Sequence, residues 1–246
     1  MAKRADIILV ERGFFESRAK ARAAIEAGLV RVNGVELKKP SEQVDEEAPI
    51  EASAPHPWVS RAGLKLVGGL DAFGFDPTGK LCLDVGSSTG GFTQVLVSRG
   101  AEKVIAVDVG HDQLHASLRQ NLRILSLEGT DARLLTPALL AEHGIAGRPD
   151  MVVCDASFIS LKLVLPAALG LCTSGAELVA LIKPQFEAGR ERVKKGIVRD
   201  GAVHAEVCAT ISQWLEDQGW TILGLVPSPI EGGDGNREFL VGARRR

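Results

Sequence analysis

The chain has 246 residues and a formal net charge of −2 at pH 7, and 45% of its residues are hydrophobic and 24% are charged. This length and composition are typical of a globular protein with one large domain or two unequal ones. No apolar run approaches the roughly 20 residues that span a bilayer, so we expect a cytoplasmic protein with no membrane partner. The sequence has no Cys-x-x-Cys pair of the kind that binds zinc, so we expect no metal.

The first forty residues are basic although the whole chain is not. They contain nine lysine or arginine residues and five acidic ones, and the segment from Glu42 to Glu51 then holds five acids and no base. A basic module followed by an acidic connector favours binding of a polyanion by the N-terminal part of the chain.

Local patterns predict the structure of this N-terminal module. A short helix is expected over 6–12, and Ser17 is placed to cap a second helix over 18–27, which Gly28 would end. The next residues alternate in polarity around Asn33-Gly34, which is the strongest short signal of a β-hairpin. Two short helices and a hairpin make a small α+β domain.

The segment from Ser17 to Gly34 has the form S-R-x-x-A-R-x-x-I-x-x-G-x-V-x-V-N-G. It resembles the small RNA-binding domain named for ribosomal protein S-four. The resemblance implies that the basic helix contacts RNA phosphates, and such contacts position a protein but carry little sequence information. The expected RNA-binding residues of this module are Arg4, Arg18, Lys20 and Arg22. The alternative is that these charges only solvate a helix face.

From residue 80 onwards, apolar runs alternate with helical segments. Strands are predicted over 81–85, 104–107, 121–125, 151–154, 177–182, 220–226 and 238–243, and helices over 60–73, with Ser60 as its cap, 91–99, 161–171 and 204–218. This alternation predicts an α/β fold with a mainly parallel, Rossmann-like sheet that binds its ligand beyond the strand C-termini. We therefore divide the chain into residues 1–50, a linker over 51–59, and an α/β domain over 60–246.

The segment Asp84 to Thr93 reads D-V-G-S-S-T-G-G-F-T and follows a short apolar run. Its glycines allow a ligand to approach the backbone closely, and the amides of the following helix would face that ligand. The spacing fits the dinucleotide fingerprint poorly, and the Gly-Lys-Ser/Thr of a triphosphate site is missing. An acid before the glycines suits a ligand with a cationic or amino end, such as S-adenosylmethionine.

Further acids follow later strands of the predicted sheet. Asp108 is placed to accept the hydroxyls of a ribose, and Asp131-Ala132 to lie near an adenine edge. The alternative is that these are solvated acids at strand ends. The complete set of predicted cofactor-binding residues is Asp84, Gly86, Ser88, Gly90, Gly91, Phe92, Thr93, Asp108, Asp131, Ala132 and Asp155.

Four residues in characteristic contexts carry a second resemblance. They are Lys65 in S-R-A-G-L-K, Asp155 in V-C-D-A-S-F-I-S, Lys183 in L-I-K-P-Q-F-E and Glu238 in N-R-E-F. In this order they resemble the Lys-Asp-Lys-Glu set of FtsJ-like ribose 2′-O-methyltransferases. The joint presence of the RNA-binding domain, D-V-G-S-S-T-G-G-F-T and K-P-Q-F-E more specifically resembles the TlyA family of rRNA cytidine 2′-O-methyltransferases. Thr89 stands where FtsJ has proline, a feature that TlyA sequences share.

The resemblance implies S-adenosylmethionine as cofactor and rRNA within ribosomal subunits as partner. A ribose hydroxyl must lose its proton as it attacks, whereas a free lysine, with a pKa of about 10.4, is already protonated. Burial beside a second cation lowers such a pKa, so Lys183 near Lys65 is the predicted base. Asp155 would orient the lysines, and Glu238 would position Lys65 or the ribose. The alternative is a structural network of buried ion pairs.

A basic loop follows the Lys183 strand. The loop over 189–201 holds five bases and two acids, so Arg190, Lys194 and Lys195 are predicted to form a flexible clamp on RNA phosphates. The alternative is a solvated loop.

Three other functions compete with this interpretation. A membrane-active hemolysin would need an amphipathic or spanning segment and an export route, and the sequence shows neither. A non-catalytic ribosome-binding factor would have a broken Lys-Asp-Lys-Glu set. A methyltransferase that acts on a base usually has other motifs, and Cys154 is expected to point away from the crevice. The modified nucleotide, and the choice between monomer and homodimer, stay open.

Overall fold

The computed structural model describes residues 2–232 and 235–246. The chain divides into two units, Met1–Pro57 and Trp58–Arg246. The predicted boundary at residue 50 falls inside a strand, Ile50–Ala52, that pairs within the first unit, so this unit extends into the predicted linker. Within the described residues, no helix is both long enough and apolar enough to cross a membrane.

Among its described residues, the first unit contains two helices and two small sheets. Its elements are β1 (Ala2–Arg4), α1 (Ala5–Glu11), α2 (Arg18–Glu26), β2 (Val30–Val32), β3 (Val35–Glu36), β4 (Gln43–Asp45) and β5 (Ile50–Ala52). Strand β1 pairs antiparallel with β4, and β2 lies between β3 and β5. A core that includes Ile8, Leu9 and Ile25 packs the two helices together.

The predicted capping residues act as expected in the first unit. The Ser17 hydroxyl accepts the N–H of Lys20 at the start of α2, and Gly28 follows the helix with a φ of +71°. Asn33 and Gly34 both have positive φ, which is the conformation of a tight hairpin turn. The helices and the hairpin are therefore formed where local residue types favour them.

The second unit is an α/β structure around a mixed sheet. Its elements are α3 (Ala62–Phe73), β6 (Leu81–Val85), α4 (Gly91–Ser98), β7 (Lys103–Asp108), α5 (Ala116–Arg119), β8 (Ile124–Glu128), α6 (Pro137–Glu142), β9 (Met151–Cys154), α7 (Leu161–Leu171), β10 (Glu177–Ile182), α8 (Pro184–Glu187), α9 (Gly201–Asp217), β11 (Trp220–Pro227) and β12 (Phe239–Arg245). The strand order is β11-β12-β10-β9-β6-β7-β8. Strands β6 to β10 are parallel, and β12 runs antiparallel to both of its neighbours. The predicted α/β fold is confirmed.

Helices cover both faces of this sheet. One core contains Leu178 and Ile182 together with side chains of α7 and α9, and the other contains Val179 and Leu181 together with side chains of α3 and α4. Neighbouring residues of β10 thus point to opposite, equally apolar layers. This is why the strand reads as a continuous apolar run rather than an alternating one.

Two local predictions are wrong. Helix α3 begins after Arg61 without a side-chain cap. Ser60 does not cap it, because the Ser60 hydroxyl faces Gly91 instead. The strand predicted over 121–125 begins only at Ile124, since the Asn121 carbonyl accepts the N–H of Ile124 and closes a turn there. Neither change alters the order of the elements.

Candidate active site

One edge of the sheet brings the four predicted catalytic residues together. Asp155 and Lys183 follow the carboxyl ends of β9 and β10. Strand β12 enters at this edge, because Phe239 at its start pairs with Ile182, and Glu238 immediately precedes it. Helix α3 adds Lys65, and all four side chains line one cavity of about 480 Å³, a size that suits a small-molecule ligand.

Lys65 and Glu238 form a buried ion pair. The lysine Nζ lies 2.6 Å from Oε2 of the glutamate, and their side chains are 8% and 2% exposed. Neither charge could stay buried at low cost without the other. Of the two roles predicted for Glu238, which were to position Lys65 or the ribose, this contact is consistent with the first.

Lys183 has a carboxylate of its own. Its Nζ lies 2.7 Å from Asp155 Oδ1, and it donates to Ser157 Oγ at 2.8 Å and to the Asp155 carbonyl at 3.3 Å. Three oxygens thus surround an ammonium group that has three N–H donors. The sequence predicted that Lys65 is the second cation beside Lys183. In the structure, Lys65 pairs with Glu238 and Lys183 pairs with Asp155.

The glycine turn lies against the segment that follows β9. Gly86 has a φ of +81°, and a Cβ at this position would lie 2.9 Å from the Cα of Ala156. That neighbour is backbone and cannot move aside, so the position requires glycine. The turn lines the cavity through Gly86 and Ser88, and α4 contributes Gly91 and Phe92. Gly90, with a φ of +92°, packs against Leu114 and Leu118.

Asp84 and Thr93 lie buried beneath this turn. Oδ2 of Asp84 accepts the threonine hydroxyl at 2.6 Å, and Oδ1 is buried without a hydrogen-bond partner among the described residues. Burial raises the pKa of Asp84 to about 7, and the Thr93 bond opposes this shift. Both side chains are fully buried, and neither lines the cavity above them, although both were among the predicted cofactor-binding residues.

A second cavity adjoins the first and contains the other predicted cofactor residues. Asp108 accepts the N–H groups of Ser88 and Gly110, each at 2.8 Å, and so also fixes the glycine turn. Asp131 is ion-paired with Arg133, and the neighbouring Ala132 is buried. The two cavities share Gly86, Ser88, Asp155, Ser157 and Phe158 in their walls. The crevice therefore has two connected parts, which suits a ligand with a nucleoside end and an amino-acid end.

Phe158 was not singled out from the sequence. Its side chain is 89% exposed, its φ is +66°, and its ring lies 5.2 Å from the ring of Phe186. A left-handed backbone is strained for an aromatic residue, and such strain is often found at functional sites. The sequence shows only that a phenylalanine lies three residues after Asp155. A phenylalanine in this position is usually interpreted as a buried ring.

The basic residues of the first unit form a defined surface cluster. Arg4, Arg18 and Arg22 all bond to the carboxylate of Asp6. Lys20 instead pairs with Glu16. The bases are apparent in the sequence, whereas the contacts with Asp6 that join them are not.

In the second unit, the predicted basic loop is attached to the segment before Glu238. The Asn236 amide donates to the Gly196 carbonyl at 3.0 Å, and its oxygen accepts the N–H of Val198. His204 also bonds to the Val198 carbonyl. Arg190, Lys194 and Lys195 are exposed on this loop. The buried Asn236 amide thus connects the loop predicted to clamp RNA to the segment that carries Glu238.

Comparisons with known proteins agree with this geometry. The profile of the FtsJ-like methyltransferase family matches residues 58–245, and that of the S4 domain matches residues 3–50. The chain is 46% identical over 241 residues to "Putative rRNA methyltransferase YqxC" of Bacillus subtilis, covering 97% of this chain and 84% of that protein. It is 43% identical to "16S/23S rRNA (cytidine-2'-O)-methyltransferase TlyA" of Mycobacterium tuberculosis, covering 99% and 91%.

A solved structure named "Putative hemolysin from Streptococcus thermophilus" matches with a TM-score of 0.77 and 40% identity. The match covers 99% of this chain and 88% of that one.

Proposed function

Since this chain belongs to the FtsJ-like methyltransferase family, we propose that it methylates the ribose 2′-hydroxyl of cytidine in ribosomal RNA. The observation that carries this proposal is the convergence of Lys65, Asp155, Lys183 and Glu238 on one cavity beside the glycine turn. The choice of cytidine rests on the name of the Mycobacterium tuberculosis relative. Ribosomal subunits are the proposed partner, and the enzyme would act in the compartment that contains them.

The crevice has the features needed for the cofactor of this family. S-adenosylmethionine, when bound, supplies an activated methyl group. Asp84 is completely buried and lines neither cavity, so the residues proposed to hold the cofactor are the glycine turn around Gly86, and Asp108 with Ala132 in the second cavity. These residues leave backbone and carboxylate surfaces open where a larger side chain would block the crevice.

Lys183, as the neutral amine that remains after its ammonium group has released a proton to solvent, is the residue proposed to accept the ribose proton. The oxygens of Asp155 and Ser157 hold its Nζ at a fixed point of the cavity wall. A fixed acceptor at hydrogen-bond distance removes much of the entropic cost of proton transfer. The Lys65–Glu238 pair, which lines the same cavity, would hold the ribose.

The experiment that tests the proposed function is transfer of labelled methyl groups to purified ribosomal subunits, followed by mapping of the modified riboses. We expect 2′-O-methylcytidine in rRNA. Label found on a base, or label absent from both subunits, would contradict the proposal. A leakage assay with lipid vesicles runs in parallel, and a methyltransferase should leave the vesicles intact.

We further propose that Phe158 stacks on the target base, because an enzyme that modifies a nucleotide commonly holds it between aromatic side chains. Phe158→Leu is expected to reduce kcat/KM for rRNA by about tenfold to a hundredfold, since stacking on one aromatic ring contributes about 1–3 kcal/mol. Phe158→Tyr should retain most activity. The control is Leu163→Ala, which removes another exposed apolar side chain, 61% exposed, from α7. Equal losses in Phe158→Leu and Leu163→Ala would contradict the stacking role.

The raised pKa of Asp84 leads to a prediction about stability. The folded chain holds a proton on this carboxyl up to about pH 7, whereas an unfolded aspartate releases it near pH 4. The free energy of unfolding should therefore decrease as the pH rises from about 4 to about 7. Asp84→Asn should remove this part of the dependence, measured as the difference between the denaturation curves of the two proteins without ligand. Parallel pH profiles would show that Asp84 stays ionised.

A further inference from the structure

Asp6 in the first turn of α1 is completely buried and bonds to three arginines. Its Oδ1 accepts Arg4 Nε at 2.9 Å, and its Oδ2 accepts Arg18 Nη2 at 2.7 Å and Arg22 Nε at 3.1 Å. The arginine side chains are 39%, 51% and 48% exposed. The acid is therefore inside the unit, and the outer edges of the three guanidinium groups are in solvent.

The arginines keep this carboxylate ionised. The bond from Arg4 is the largest of the effects that hold the pKa of Asp6 well below its usual range, and the bonds from Arg18 and Arg22 act in the same direction against burial. The cluster carries three positive charges and one negative charge, so it stays cationic. Each guanidinium has five N–H donors, and Asp6 takes two from Arg18 and one from Arg22, which leaves donors for a second acceptor.

We propose that Asp6 is a positioning residue that holds Arg4, Arg18 and Arg22 as one preorganised site for RNA phosphates. Arg18 and Arg22 lie four residues apart on α2, so they share a helix face, and Asp6 adds Arg4 from β1 to that face. A long side chain that is already fixed loses less entropy on binding than a free one. The inference rests on the proposed function only in that rRNA is the ligand of this surface.

The test uses the substitution Asp6→Asn, for which electrostatics and positioning predict opposite changes in RNA affinity. Asp6→Asn removes one negative charge, so electrostatics alone would tighten RNA binding. Loss of positioning should instead weaken it about tenfold, which is the cost of about one charge-assisted hydrogen bond. Glu26→Gln is the matched control, because it removes one negative charge from an exposed position of α2. We expect this control to bind RNA equally well or more tightly.

The measurement is the affinity of the full chain for purified ribosomal subunits at several salt concentrations. Positioning predicts a weaker dependence on salt in Asp6→Asn, since fewer phosphate contacts form, although the protein is more positive. Tighter binding by Asp6→Asn, or an unchanged affinity, would overturn the proposal.

A second variant separates positioning from loss of the fold. In a background with Arg4→Gln, Arg18→Gln and Arg22→Gln, Asp6→Asn should not reduce RNA affinity further. A further reduction of about tenfold in that background would show that Asp6 acts through the fold, and the inference would be wrong. Methyl transfer is measured separately, so a chain that binds subunits with the expected Asp6 dependence but transfers no methyl group refutes only the proposed function.

Discussion

Replacement of Lys183 with alanine is expected to reduce kcat for methyl transfer at least about a hundredfold, because a positioned acid or base contributes about 10²–10⁴-fold. Binding of S-adenosylmethionine should be largely retained, since the glycine turn and Asp108 are unchanged. The measurement combines single-turnover transfer to ribosomal subunits with direct titration of the cofactor. Full activity of Lys183→Ala would remove Lys183 from the mechanism.

Lys183→Arg tests whether the amine itself is required. Arginine keeps a positive charge next to Asp155 but cannot serve as a base, because its guanidinium does not lose a proton in proteins. If Lys183 accepts the ribose proton, Lys183→Arg should be as inactive as Lys183→Ala. Substantial activity in Lys183→Arg would indicate instead that the residue acts as a cation that positions the substrate.

The second large effect is expected from the Lys65–Glu238 pair. Lys65→Met or Glu238→Leu alone leaves one buried charge without its partner, and each should lower the free energy of unfolding by about 3–5 kcal/mol. The double variant should recover most of this stability, because it removes both charges. It should nevertheless remain inactive if the pair holds the ribose. Chemical denaturation and methyl transfer of the same preparations measure the two effects.

The exposed pair Arg192–Glu206 provides the control for this experiment. Its side chains are 40% and 59% exposed, compared with 8% and 2% for Lys65 and Glu238. Substitution of either member should change stability by about 1 kcal/mol or less. If the double variant Lys65→Met/Glu238→Leu is stable and fully active, the pair is structural and the proposed role of both residues is wrong.

Much of this site could be predicted because local rules decide it. Acids and a lysine that directly follow apolar strands reach the ligand edge of a parallel sheet, and this places Asp155 and Lys183. The Gly86 turn was visible for the same reason, since its residues are adjacent in the chain. Glu238 needed the family resemblance, because nothing local shows that β12 lies between β10 and β11.

The missed features depend on contacts between distant segments. Asp6 looked like an ordinary acid of a short helix, and its bonds to Arg18 and Arg22 exist only after α1 and α2 pack together. The exposure of Phe158 depends on a strained turn that no single residue type indicates. The tether from Asn236 to Gly196 joins two loops forty positions apart. Side-chain partners of this kind cannot be derived from sequence spacing.

The position of β12 between β10 and β11 has a consequence for folding. Strand β12, which Glu238 precedes, follows both of its neighbours in the chain, so it must insert between two strands that are translated before it. A nascent chain that has not yet released this segment contains Lys65 and Lys183 but lacks the counterion of Lys65. Lys65 therefore gains its buried counterion only after Glu238 and β12 have been translated and inserted, so we expect this edge of the sheet to form late in folding.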